Sequence, residues 1–236
     1  MKILLIRHGE PDYSIDSLTE KGWKEAELLS RRMETLNLRD IYVSPLGRAR
    51  DTVRATEQRL NRAATVLPWL REFDGKVTGP FDVSKHVPWN LAPRYWVNDT
   101  ALFHKDEWMH SPLMSNGETT RVYNETCRGF DLLLENYGYH RDGYIYICER
   151  NTSDTIALFC HFGISMAMLS HVFGIALPLL WQSFFTPPSS VTTLITEERV
   201  KGEVMFRCSA LGDTSHLYAN SEQVSASGLY PEVFEN

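Results

Sequence analysis

Two stretches of the chain carry side chains suited to handling an anion. "ILLIRHGE" drives four apolar residues into Arg7, His8 and Gly9, and "TIALFCHFG" delivers His161 just ahead of Gly163. Between them "SPLGRAR" sets Arg48 and Arg50 at the start of a helical pattern, and "LREFDG" offers Arg71 and Glu72. A neutral imidazole is a competent nucleophile toward phosphorus. Arginine forks match phosphate oxygens and stay charged at every working pH. A helix N-terminus adds backbone N–H donors for an anion, and a carboxyl group of raised pKa can protonate a leaving alcohol. Phosphoryl transfer therefore fits these residue types. Metal binding is the rival for two histidines and a glutamate. The arginines oppose it, since they repel a cation, and no HExxH, CxxC or aspartate cluster is present.

These side chains must be positioned by elements whose signals are plain. "KILLI" is a continuous apolar run, as expected of a strand covered on both faces. "LTEKGWKEAELLSRRMETL" predicts a helix capped by Thr19, with Leu18, Trp23, Ala26, Leu29, Met33 and Leu36 on its apolar stripe. "DIYVSPL" predicts a strand ending in a Ser-Pro turn, "GRARDTVRATEQRL" a helix and "ATVLPWL" a third strand. Later come a helix over "TTRVYNETCRGFDLLLENYG", strands at "YIYIC" and "TIALFC", and a helix "GISMAMLSHVFG" closed by Gly174. Late strands are read at "SVTTLITE" and "VMFRCSAL". Strands alternating with helices predict a three-layer α/β/α fold with a mostly parallel central sheet. In such sheets sites form beyond the carboxyl ends of strands, which would gather the two histidines, the arginines and the glutamate at one rim. Glycine at position 9 would let the backbone turn away without crowding a phosphate.

The 236 residues read as one domain, 1–236, interrupted at about 73–116 by an irregular, aromatic-rich insertion holding Trp89, Trp96 and Trp108. A stretch this long without periodicity is expected to be a lid or a binding insertion, and its aromatic content argues against disorder. A formal net charge of -6 and a pI of about 5.8 speak against nucleic acid as a partner. No segment approaches a bilayer-spanning apolar run and no signal-peptide pattern opens the chain, so no membrane partner is expected. The cysteines at 127, 148, 160 and 208 lack metal or redox spacing. Cys148 and Cys160 read as buried thiols, and a reduced cytoplasm is the expected location.

"LLIRHGE", "LTEKG", "SPLGRARDT", "LREFDG" and "ALFCHFG" resemble, in this order, the signature blocks of the histidine phosphatase superfamily, the phosphoglycerate-mutase-like proteins. The resemblance runs from residue 3 to about 165, and "GDTSHL" at 212–217 is similar to C-terminal segments of members. It implies that His8 is the phosphorylated nucleophile, that Arg7, Arg48 and His161 bind the phosphoryl group, and that Glu72 is the proton donor. After Glu72 the chain continues as "DGKVTGP" where members often carry a Gly-Xaa-Xaa-Glu-Gly run, so Asp74 or a carboxylate of the insertion is the alternative donor. No cofactor and no metal are implied. The expected activity is metal-independent hydrolysis of a small phosphomonoester. A mutase is the nearest alternative, but phosphoglycerate mutases carry a longer Asn-rich segment where only "PDYSIDS" stands here. A non-catalytic phospholigand-binding protein is a further alternative. Arg50 reads as a solvated or salt-bridged helix residue, His171 as structural, and His216 as a support behind the site. His86, His104 and His110 fall in the insertion, where Trp89 and Trp96 would favour a flat or apolar leaving group. Exposed aromatics there would also suit a homodimer interface.

Overall fold

The computed structural model describes residues 1–77, 87–114 and 118–229. Its strands are β1 (Lys2–Arg7), β2 (Pro11–Asp12), β3 (Ser17–Leu18), β4 (Leu38–Val43), β5 (Thr65–Val66), β6 (Tyr139–Asp142), β7 (Ile145–Cys148), β8 (Thr155–Cys160), β9 (Val191–Val200) and β10 (Glu203–Asp213). Its helices are α1 (Glu20–Glu34), α2 (Gly47–Leu60), α3 (Pro93–Val97), α4 (Glu118–Glu135), α5 (Phe162–Phe173), α6 (Leu177–Ser183) and α7 (Ser215–Tyr218). Eight strands form one sheet in the order β5-β4-β8-β1-β9-β10-β7-β6, and β2 pairs with β3 in a separate hairpin.

The half of the sheet from β5 to β1 is parallel, as the alternation of strands and helices predicts. From β1 onward each neighbour is antiparallel. The parallel half fixes the site through its register. Arg7 lies opposite Cys160 and Val43 opposite Phe159, so β1, β8 and β4 release the chain at one edge, at His8, His161 and Ser44.

Side-chain alternation along β1 explains the layers. Leu4 and Ile6 join Leu29 and Met33 of α1 and Ala49 and Val53 of α2 in one core. Ile3 and Leu5 face the opposite core, with Phe130 and Leu134 of α4 and Ile164 and Met168 of α5. Thr19 caps α1 as expected, its hydroxyl accepting from the Gly22 N–H at 3.1 Å. Trp23 departs from the expected apolar stripe: it is exposed, with the Arg54 guanidinium over its ring. Cys127, Cys148 and Cys160 are buried and Cys208 is exposed, all as free thiols. No helix among the described residues is long and apolar enough to cross a membrane.

The described part of 73–116 holds α3 and three short 3-10 turns, and its aromatics join the core above α5 and α6. Trp108 is fully buried, edge-on to Tyr123 at 5.1 Å. Trp89 packs edge-on to Phe162 at 5.8 Å and against Trp181 at 5.9 Å, while Trp96 stacks on Phe103.

Candidate active site

His8 is the first residue beyond β1, and it is buried. Its backbone is fixed at both ends: its N–H donates to the Cys160 carbonyl at 3.0 Å, and its carbonyl accepts from the Ser189 N–H at 2.9 Å. The ring Nδ1 lies 2.8 Å from the Gly9 carbonyl. A carbonyl can only accept, so Nδ1 carries the proton and Nε2 keeps its lone pair. Burial, with Arg7 and Arg48 nearby, pushes the His8 pKa well below its ordinary value. At neutral pH the ring is therefore uncharged. Gly9 gives room to a different neighbour from the one expected. An added Cβ would come within 2.8 Å of the Gly22 carbonyl oxygen, so glycine here lets the first turn of α1 press against the loop.

Arg7 is buried and heavily engaged. Two of its nitrogens donate to the carbonyls of Thr186 at 2.6 Å and Ser227 at 3.3 Å, and its guanidinium lies over Phe185. Its Nε is buried without a partner. Arg48, the second residue of α2, pairs through one terminal nitrogen with Asp16 at 2.6 Å, and its Nε too is buried and unpartnered. The amide of Gly47 at the start of α2 donates to the other Asp16 oxygen at 2.7 Å. The helix N-terminus expected to receive a phosphate therefore holds a carboxylate of the chain itself.

His161 is fully buried at the end of β8, its ring centroid 5.1 Å from that of His8. Its Nε2 meets the Ser44 hydroxyl at 2.7 Å, and its Nδ1 has no partner. Burial, then His8 and the two arginines, pushes its pKa well below the ordinary value.

Glu72 reaches the same place by another route than the one expected. The strand predicted over "ATVLPWL" is only Thr65–Val66, and a 3-10 turn, Pro68–Leu70, carries the chain on to Glu72. One carboxylate oxygen accepts from the amides of Phe73 at 2.8 Å and Ile164 at 3.1 Å, the latter in the first turn of α5. Burial raises its pKa; these amides and Arg48 and Arg7 offset part of that rise. Asp74, the alternative donor, is half-exposed and bound to Arg71 at 3.2 Å.

The remaining polar residues divide cleanly. His216 meets the Ser189 hydroxyl at 3.1 Å, and Ser189 in turn holds the His8 carbonyl, so His216 stands one layer behind the site. Burial lowers its pKa to about 4. His171 pairs with Asp131 at 2.9 Å, away from this cluster. Arg50, His104 and His110 are exposed. His86 lies outside the described residues. Among the described residues no group of three or more His, Cys, Asp or Glu could hold a metal ion. Sequence reasoning missed Ser44, Tyr13, Asp16 and Glu25. Ser44 lies within "SPLGRAR", where the sequence alone suggests only a Ser-Pro turn.

A sheet with its charged cluster at the carboxyl edge of β1, β4 and β8 defines a phosphoglycerate-mutase-like α/β protein. Residues 3–119 match the model of the histidine phosphatase superfamily, branch 1, and the chain belongs to that superfamily. Among solved structures it is similar to phosphoserine phosphatase from Entamoeba histolytica, with a TM-score of 0.61 and 19% identity over 92% of this chain and 98% of that one. It is similar also to a mycobacterial glucosyl-3-phosphoglycerate phosphatase, with a TM-score of 0.62 and 17% identity over 90% and 99%. At such identities the likeness speaks for the fold alone. A 2,3-bisphosphoglycerate-dependent phosphoglycerate mutase from Thermoplasma acidophilum is 34% identical over 91 residues, which are 34% of this chain and 46% of that protein. The adenosylcobalamin/alpha-ribazole phosphatase of Escherichia coli is 21% identical over 193 residues, 77% of this chain and 83% of that protein.

Proposed function

We propose that this protein hydrolyses small phosphomonoesters through a phosphohistidine formed on His8. The observation that carries the reading is a set of three buried donors without partners around His8: Nε of Arg7, Nε of Arg48 and Nδ1 of His161. Buried donors are ordinarily satisfied. Three together beside an uncharged imidazole suit the oxygens of a phosphoryl group, each charge-assisted bond being worth about 1.5–3 kcal/mol.

The neutral Nε2 of His8 attacks phosphorus. The P–O bond to the leaving group breaks, and its oxygen takes the proton of Glu72. Water then attacks the phosphorus, the P–N bond breaks and the Glu72 carboxylate accepts the water proton, which restores both residues. The fixed arginines neutralise the charge on the phosphoryl oxygens, so the steps need no metal ion. The raised pKa of Glu72 and the exposed, paired state of Asp74 favour Glu72 as the donor. The free thiols suit a reducing compartment such as the cytoplasm.

Phosphate release from a panel of phosphomonoesters, with EDTA present, tests the reading. Turnover in the wild type and its loss in His8→Ala are expected; turnover that survives the substitution overturns it. The similarity to a mutase supports a second reading. Phosphoryl exchange that requires a phosphorylated primer, with little release of phosphate, would establish the mutase instead.

A further inference from the structure

The hairpin that separates the His8 loop from α1 is built onto the two arginines. Its turn, residues 13–16, is braced locally: Asp12 accepts from the amide of Ser14 at 2.9 Å and from its hydroxyl at 2.6 Å. It is also moored on α2, where the Ser17 hydroxyl donates to Asp51 at 2.5 Å. Asp16 sits in the left-handed region, with φ 48°, which turns its carboxylate onto the start of α2. One oxygen takes Arg48 at 2.6 Å and the other takes the Gly47 amide at 2.7 Å. Tyr13 is 61% exposed, yet its ring lies 5.5 Å from the Arg48 guanidinium carbon, and the same side chain is close enough to Arg7 to act on its charge.

We propose that Asp16 and Tyr13 are positioning residues that hold Arg48 and Arg7 in the geometry that receives a phosphoryl group. The inference rests on the phosphate-binding reading of those arginines. Two arrangements were open to a carboxylate so close to the site. It could occupy the donors meant for phosphate and compete with it, or it could engage the far side of the guanidinium and aim the near side. The nitrogens distinguish them. Asp16 is itself 44% exposed and takes a terminal nitrogen of Arg48, whereas the Nε left unpartnered is buried. The pattern repeats at Arg7, where the terminal nitrogens are spent on two backbone carbonyls and the buried Nε is unpartnered. Arg7 is anchored through both terminal nitrogens and Arg48 through one, and in each the buried Nε is left to be presented. A guanidinium anchored this way loses little rotamer freedom when phosphate binds. Tyr13 joins the two anchors, since its ring lies against Arg48 and its side chain acts on the charge of Arg7.

The test is calorimetric binding of inorganic phosphate and vanadate by the full chain, together with KM and kcat on p-nitrophenyl phosphate. Asp16→Asn keeps an amide oxygen for Gly47 and removes the charge facing Arg48. It is expected to weaken binding of both anions and to raise KM by about 10-fold, equivalent to about 1.4 kcal/mol, with a smaller fall in kcat. Tyr13→Phe keeps the ring and loses the tie to Arg7; about 3-fold weaker binding is expected. Asp16→Asn that binds phosphate as tightly as the wild type, or more tightly, overturns the proposal, tighter binding being the signature of a competitor. Arg48→Ala separates this failure from failure of the underlying reading. If Arg48→Ala abolishes binding while Asp16→Asn does not weaken it, the inference falls alone. If Arg48→Ala binds phosphate normally, the phosphate site itself is misplaced and the inference falls with it.

Discussion

The Ser44 hydroxyl stands 2.7 Å from Nε2 of His161 and also accepts the Leu46 amide at 3.2 Å. A hydroxyl oxygen has two lone pairs, so with Leu46 bound Ser44 can either donate to Nε2 or accept from it. A hydroxyl that donates to Nε2 puts the imidazole proton on Nδ1, the nitrogen without a partner. In that arrangement the neutral His161 can donate from Nδ1 to a phosphoryl oxygen, the role proposed for it. Ser44→Ala is expected to lower kcat/KM by about 10- to 100-fold, the effect of losing 1–3 kcal/mol from a buried hydrogen bond. Nitrogen NMR of labelled histidine should show His161 shifting from a single tautomer toward a mixture. An unchanged tautomer with unchanged kinetics would refute this role for Ser44.

The raised pKa of Glu72 sets the direction of the pH profile. As general acid it must be protonated, so kcat/KM falls as pH rises through that raised value. The His8 pKa is depressed. Its neutral, nucleophilic form therefore persists to pH values below its ordinary range, and it adds no limb near neutrality. Glu72→Gln should lower kcat by about 10²- to 10⁴-fold on alkyl phosphates and remove the alkaline limb. On p-nitrophenyl phosphate, whose leaving group needs no proton, the loss should be much smaller. An equal loss on both substrates would make the Glu72 role something other than protonation.

The parts of this site legible in the sequence are those set by strand ends. A run such as "KILLI" can only finish at a sheet edge, and parallel neighbours finish at the same one, so Arg7, His8 and His161 were within reach of reasoning from pattern. Glu72 reaches the cluster by an element other than the one its run suggests, because Pro68 turns a strand-like stretch into a 3-10 turn. The antiparallel half of the sheet was only partly read. Tyr139–Asp142 is a short strand of mixed polarity, and nothing in its period separates it from a loop. Asp16, Tyr13 and Glu25 were invisible for a different reason. Their partners lie on other elements, and no local spacing announces a contact between a hairpin turn and the start of a helix 31 residues on.

Glu25 is a buried carboxyl on α1, with no exposed surface, whose one oxygen accepts the Glu10 amide at 2.7 Å while the other has no partner. Burial raises its pKa to about 7; the Glu10 amide and Lys21 oppose the rise, while Glu10 and Glu222 add to it. In the unfolded chain the same group ionises near its ordinary value of 4.5. Between these two values the folded state binds more protons, so stability falls as pH rises and levels off above about 7. A shift of this size is equivalent to a penalty on the order of 3 kcal/mol in the alkaline plateau. Glu25→Gln removes the titration and can still accept the Glu10 amide. Its stability relative to wild type should climb by about 1–3 kcal/mol between pH 4.5 and 7.5, read by urea denaturation across that range. A difference that stays flat with pH would show that Glu25 does not titrate there.

Gly163 ties the aromatic segment around Trp89 to Glu72. A Cβ at this position would come within 2.4 Å of the Trp89 ring and 2.9 Å of a Glu72 carboxylate oxygen. Its own carbonyl accepts the Trp181 indole N–H at 3.2 Å, so the first turn of α5 cannot back away freely. In an open helix, alanine would be favoured over glycine by about 1 kcal/mol. Here overpacking by 1–3 kcal/mol should outweigh that gain, and the displaced neighbour is either Trp89 or Glu72. The two cases separate in a double-mutant cycle. If Trp89 is what moves, Gly163→Ala destabilises the wild type but is tolerated in a Trp89→Ala background, with a coupling energy of 1 kcal/mol or more. If Glu72 moves, stability changes add independently and kcat falls in both backgrounds. The closer clash, 2.4 Å to Trp89 against 2.9 Å to Glu72, favours the first outcome, and moving Trp89 disturbs its packing on Phe162 and Trp181. Substrate preference in the Trp89→Ala protein then reads directly whether this ring is also a wall for the leaving group: a loss confined to aromatic phosphomonoesters supports it, and an even loss across alkyl and aryl substrates reduces Trp89 to packing.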